Sequence, residues 1–151
     1  METEIEKRWF EPGLRFQCTG CGQCCTSTSP SYVYLSEQDV DHLSHYFGLK
    51  REAFLKKYTR YDGQYSLLDK PNTYDCIFLK EKRCTVYEAR PVQCRTFPWW
   101  PYNIGDEKQW QEAAVRCEGI NHPEAPLVPT AHIEEQLMTY MDNLLHMCFD
   151  V

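Results

Sequence analysis

No stretch of this 151-residue chain offers the roughly eighteen consecutive apolar residues of a membrane-spanning helix, so no membrane association is expected. Nor does an apolar run follow the acidic opening Met1-Glu2-Thr3-Glu4-Ile5-Glu6. That opening lacks the core of a secretory signal peptide and predicts a cytoplasmic protein. Excess positive charge is missing as well: 16 Lys and Arg stand against 22 Asp and Glu, for a net charge of −6. With no surplus cations to displace counterions from a phosphate backbone, nucleic acid is not an expected partner. The one basic stretch, Lys50-Arg51 through Lys56-Lys57, reads as the polar face of a helix. No Gly-rich phosphate loop, HExxH or G-x-S-x-G occurs, so the familiar nucleotide, metalloprotease and serine-hydrolase signatures are absent. What the chain has in quantity is cysteine, nine in all, and aromatic side chains: ten Tyr, seven Phe and four Trp.

Nine cysteines in a secreted chain would suggest disulfides; in a reducing cytoplasm, clustered thiols are ligands. Cys18-x-x-Cys21-x-x-Cys24-Cys25 carries the argument. Two thiolates three residues apart on a tight turn can reach one ion, and Gly20 and Gly22 let the backbone curl around it. The run resembles the C-x2-C-x2-C spacing of ferredoxins, where a distant cysteine supplies a remaining ligand. Cys76, Cys84, Cys94 and Cys117 follow, bringing the set to eight, enough for two four-thiolate sites or for one site with redox thiols to spare. Adjacent side chains diverge, so Cys24 and Cys25 face two different sites, or one is a ligand and the other a buried or redox-active thiol. One division puts Cys18, Cys21, Cys24 and a distal cysteine on one centre and the others on a second. The cofactor is an iron–sulfur cluster, with [4Fe–4S] favoured, or zinc, or both. Cys148 falls on the apolar face of a C-terminal helix and reads as core. His42, His45, His132 and His146 read as surface or boundary positions, and His122, five residues after Cys117, is the only histidine close to the eight-cysteine set in sequence.

Ser36-Glu37-Gln38-Asp39 has the form of a capping box, with Val40, Leu43, Tyr46 and Phe47 following at helical spacing and Gly48 as the stop. A second helix is expected over residues 50–60, then a loop or weak hairpin over 61–75. Residues 1–16 read as an irregular lead-in, 32–35 as a β-prone run, and 109–116 as a strand or short helix. Prolines bar a regular helix from residues 97–102. Beyond Thr130, Ile133, Leu137, Tyr140, Met141, Leu144, Leu145 and Cys148 recur on one helical face. The expected fold is α+β: a small, helix-rich, irregular domain with short strands, organised around a cysteine-ligated metal centre. No repeat or linker divides the chain, so residues 1–151 are expected to form a single domain.

Together the spaced blocks resemble the CxxCxxCC cysteine-cluster family of zinc- or iron-chelating domain proteins. The resemblance rests on Phe16-x-Cys18-x2-Cys21-x2-Cys24-Cys25, Cys76-Ile77-Phe78-Leu79 and Cys84-Thr85-Val86-Tyr87-Glu88-Ala89-Arg90-Pro91. It continues through Cys94-Arg95-Thr96-Phe97-Pro98 to Cys117-Glu118-Gly119-Ile120. It implies metal binding by the cysteines in a small protein. Flagellin lysine N-methylase carries a similar cysteine pattern, which implies an iron–sulfur option and a methyl-transfer branch. Glu118, where the family often has Pro, and Asn121-His122 depart from the pattern. Thiolate centres carry net negative charge, which Arg90 and Arg95 would offset. Pro91 and Pro98 would fix the turns presenting Cys94, and Trp99 and Trp100 would shield the centre from water. Three roles stay open: an accessory or chelating protein, an iron–sulfur-dependent redox or methyl-transfer enzyme, and a zinc-stabilised module docking a protein partner through Trp99-Trp100-Pro101-Tyr102.

Overall fold

The computed structural model describes residues 8–19 and 32–147. Within them the chain is a mixture of helices and short strands, as an α+β reading requires. The elements run β1 (Gly13–Arg15), α1 (Glu37–Phe47), α2 (Arg51–Tyr58), β2 (Thr59–Tyr61), β3 (Tyr65–Leu67), β4 (Leu79–Lys80) and β5 (Arg83–Cys84). A 3-10 turn at Tyr87–Ala89 leads into α3 (Val92–Arg95), α4 (Pro101–Ile104), α5 (Glu107–Arg116), β6 (Leu127–Pro129) and α6 (Thr130–Leu144). All three strand pairs are antiparallel: β2 with β3, β4 with β5, and β1 with β6.

Helix α1 begins where the capping box predicts. Ser36 Oγ accepts from the Asp39 N–H at 3.1 Å, and Asp39 Oδ2 accepts from the Ser36 N–H at 3.0 Å. It ends at Gly48, whose φ of 65° is left-handed backbone suited to a residue without a Cβ. Val40 and Leu43 on its inner face join Leu35, Phe54, Leu67, Phe78, Val86 and Ala89 in a first core. Of the two readings of 61–75, the hairpin holds at its start: β2 and β3 pair and turn at Gly63. A second core gathers Phe10, Leu14, Trp99, Ile104, Trp110, Ala113, Ile120 and Ile133. The lead-in is not irregular throughout, because Gly13, Leu14 and Arg15 pair with Pro129, Val128 and Leu127. Residues 109–116 are helical within α5, capped by Asp106 Oδ1 accepting from the Gln109 N–H at 2.7 Å. The proline-bearing stretch resumes a helix at Pro101, the first-turn position where a missing N–H costs no bond.

The last helix is found, but its apolar stripe is only half used. Ile133 and Tyr140 are buried, whereas Met141 and Leu144 are each 45% exposed and Leu145 is 79% exposed. The cause lies at its end, where the chain crosses back to α1. The Glu37 N–H donates to the His146 carbonyl at 3.0 Å, and Ser36 bridges to Met147. That crossing buries Asn143 and Met147 in place of the leucines. The core reading of Cys148 lies outside the described residues. No helix among the described residues is long and apolar enough to cross a membrane.

Candidate metal centre

The four distal cysteines come from separate parts of the chain: an isolated bridge, the end of β5, helix α3 and the residue after α5. Cys76 bridges to Asp69, and its carbonyl accepts from the Leu79 N–H at 2.9 Å. Cys84 ends β5, opposite Leu79. Both pack against the first core. Cys94 lies in α3, which starts directly after Pro91, and its N–H donates to the Pro91 carbonyl at 2.9 Å. Cys117 follows the last residue of α5 and packs against the second core. All four are half-buried, and Cys18 is exposed. Cys21, Cys24 and Cys25 lie outside the described residues. Among the described residues, no three His, Cys, Asp or Glu side chains form a metal-holding group by themselves.

Helix α3 links the two cores. On the first-core side, the buried Asp39 of α1 turns its second oxygen outward, and Oδ1 accepts from the Val92 N–H at 3.0 Å. Tyr46, also on α1, donates to the Thr85 carbonyl at 3.3 Å, beside Cys84. One helix therefore steadies the backbone next to Cys84 and next to Cys94. On the second-core side, Phe97 and Trp99 meet the Phe16 ring edge-on, with centroids 6.5 and 5.6 Å away. Phe16 bridges to Ile120, and the Gln17 N–H donates to the Gly119 carbonyl at 3.2 Å. Gly119 is needed for that approach, because a Cβ there would overlap the Gln17 carbonyl. The chain leading into Cys18 is thus fixed beside Cys117 and the Cys94 segment together.

Other side chains singled out from sequence take distinct places. The Arg90 guanidinium lies 3.9 Å over the Tyr87 ring, and its Nε donates to the Tyr87 carbonyl at 2.9 Å. Arg95 is exposed in the last turn of α3. Trp99 is 4% exposed and stacks on Trp110 at 5.5 Å, so it cannot present itself to a partner as expected. Trp100 is half-buried and donates to the Gln93 carbonyl at 3.0 Å, leaving Tyr102 as the most exposed aromatic of that stretch. All five histidines are exposed. Burial, and then the Tyr102 hydrogen bond, push the Tyr140 phenol above its ordinary value of 10.0. Burial, and then the Asp62 carboxylate, raise Tyr34. Neither group exchanges a proton near neutral pH. A groove of about 270 Å³ between Phe10, Ile104, Leu137 and Met141 contains no cysteine in its lining.

Sequence reasoning found the cysteines but missed what holds them. Asp39 was visible as a cap, not as the anchor of α3. Gln93 and the close approach at Gly119 carry no local signal, since their partners are tens of residues away.

A family model described as "Putative zinc- or iron-chelating domain", CxxCxxCC, matches residues 17–118, and the chain belongs to that family. It is also 30% identical over 89 residues to the "Uncharacterized protein MJ0661" of Methanocaldococcus jannaschii. That match takes in 58% of this chain and 46% of the relative, so the chain spans about half of the relative's length. No solved structure matches the chain. The donor set fits the family's description: soft thiolates are the preferred ligands of zinc and of iron–sulfur clusters. Half-burial suits such ligands, since the apolar shell around a metal site controls solvent access and the local dielectric.

Proposed function

We propose that this protein is a cytoplasmic metal-binding protein of accessory or chelating role, with residues 1–151 acting as one domain. Its ligands are drawn from Cys18, Cys21, Cys24, Cys25, Cys76, Cys84, Cys94 and Cys117, and Arg90 and Arg95 flank Cys94 to offset the thiolate charge. The resident group is an iron–sulfur cluster, of the [4Fe–4S] type, or zinc, or both. One observation carries the reading: four half-buried thiols come from four separate places, Cys76 at an isolated bridge, Cys84 at the end of β5, Cys94 within α3 and Cys117 just past α5, two packed on the first core and one on the second. Core packing alone would favour cysteines deep among apolar side chains rather than half-buried ones. Weak secondary structure, with strands of two or three residues, also suits a domain whose metal contributes to folding.

Anaerobic purification followed by a visible spectrum and by iron, zinc and sulfide analysis of one sample tests this. A brown protein with a broad band near ~400 nm and stoichiometric iron and sulfide would identify an iron–sulfur cluster. A colourless protein with one or two zinc ions per chain would replace the cluster with a structural or chelating zinc site. Absence of both metals, with the thiols paired as disulfides, would remove the reading altogether.

A further inference from the structure

Residues 32–35, where the described chain resumes after the cysteine run, are extended and have two hydrogen-bonding edges. Along one edge they pair with β3: the Leu35 N–H donates to the Tyr65 carbonyl and the Leu67 N–H to the Val33 carbonyl, both at 3.0 Å. Successive residues of an extended chain turn their peptide groups to alternate sides. The Tyr32 carbonyl and the Tyr34 N–H therefore face the opposite edge. Their partner there is a side chain. Gln93 Oε1 accepts from the Tyr34 N–H at 3.1 Å, and Gln93 Nε2 donates to the Tyr32 carbonyl at 2.9 Å. A primary amide is both donor and acceptor, so Gln93 stands in for one peptide group of a neighbouring strand.

Gln93 is itself held in place. It sits in α3 next to Cys94, its carbonyl accepts from Trp100 Nε1 at 3.0 Å, and the preceding N–H is bound by Asp39. Residues 32–35 are consequently clasped between two cysteine-bearing pieces. On one side β3 leads to Leu68, whose carbonyl accepts from the Ile77 N–H at 3.0 Å beside Cys76. On the other stands the Cys94 helix. The opposite end of the cysteine run is fixed at Gln17 and Gly119. The described chain on either side of the cysteine run, at Gln17 and at Tyr32 to Leu35, is thus tied near Cys117 on one side and Cys76 and Cys94 on the other.

We propose that Gln93 is a positioning residue for the thiolate centre, fixing Tyr32 to Leu35, the chain just beyond the cysteine run, against the helix that carries Cys94. This rests on the reading of the cysteines as metal ligands. Without the clasp, Tyr32 to Leu35 lose their tie to α3, and preorganisation of that end is lost. Groups of this outer kind typically alter metal affinity ~10–100-fold.

The test uses the full chain, loaded anaerobically, with Gln93→Ala, Gln93→Glu and, as a control elsewhere in the molecule, Tyr102→Phe. Release of metal to a chromophoric chelator is timed well below unfolding, and amide exchange at Tyr34 is followed with and without metal. Gln93→Ala is expected to release metal about 10-fold faster or more. Gln93→Glu should do at least as badly, since a carboxylate keeps the acceptor for Tyr34 but sets a negative oxygen against the Tyr32 carbonyl. Tyr34 should exchange faster in Gln93→Ala, metal-bound or not, because its acceptor is lost. Three results would overturn the proposal: release rates unchanged in both variants, equal acceleration in the Tyr102→Phe control, or unfolding of both Gln93 variants. A wild-type chain that takes up no metal would instead sink the metal reading, while Tyr34 exchange would still report whether the clasp exists.

Discussion

The two cores are closed by pairings of very different reach. In the first, α1 lies against α2, Thr59 pairs with Leu67 across a short hairpin, and Leu79 pairs with Cys84 across a shorter one. In the second, Gly13 pairs with Pro129 and Phe16 with Ile120, joining parts of the chain more than a hundred residues apart. Local closure orders only a short piece of chain for each pairing it makes, whereas distant closure orders a long stretch before any pairing forms. The first core can therefore form from its own neighbourhood, and the second depends on everything between. The proposed ligands come from both, with Cys76 and Cys84 on the first core and Cys117 on the second. A metal held by them would act as a long-range tie, adding most where closure is most demanding.

Stripping the metal should give the largest effect, since binding at structural thiolate sites is worth on the order of 10 kcal/mol of linked folding free energy. Amide exchange before and after anaerobic chelation is expected to lose protection first in β1, β6 and α5, while α1 keeps more of its own. Equal loss everywhere would break the comparison. Next comes Trp110→Ala, which removes the stack on Trp99 and the 2.8 Å bond from Trp110 Nε1 to Asn121 Oδ1. A cost of about 3–5 kcal/mol is expected in denaturant melts, with the damage concentrated in the second core. The smallest effect is expected from Ser36→Ala. Losing the capping hydroxyl should cost about 1 kcal/mol, with exchange accelerated at the start of α1 and β1–β6 unchanged. If it instead opened β1–β6, the cores would not be separable.

Legibility from sequence follows the same division. The capping box at Ser36 and Asp39, the stop at Gly48 and the spacing of the last helix are patterns within a turn or two of chain, and the structure contains them. The pairing of residues 13–15 with 127–129 has no local mark, because three residues of Gly-Leu-Arg do not name a partner. Residues 32–35 have β-prone side chains, yet they serve as a connecting edge joined to β3 and to Gln93, outside the strand pairs. Exposure of Leu144 and Leu145 could not be foreseen from a periodic stripe, since the return of His146 and Met147 to α1 decides which side of α6 is covered. Trp99 illustrates the converse: a Trp-Trp-Pro run suggests a docking face, but stacking on Trp110 takes the first tryptophan into the core.

By itself the sequence determined the donor atoms, since the number, type and spacing of its thiols are covalent facts and their affinity for soft metals follows from sulfur chemistry. It determined the helices whose ends are signalled by caps and glycine, because those signals act within one turn. Only the tertiary structure decided which parts of the chain present the distal thiols and what ties the chain on either side of the cysteine run. The bonds from Gln93 to Tyr32 and Tyr34, from Asp39 to Val92 and from Gln17 to Gly119 join residues about fifty to a hundred apart in the chain. Such bonds exist only after long loops have closed, and loop closure is a property of the whole fold.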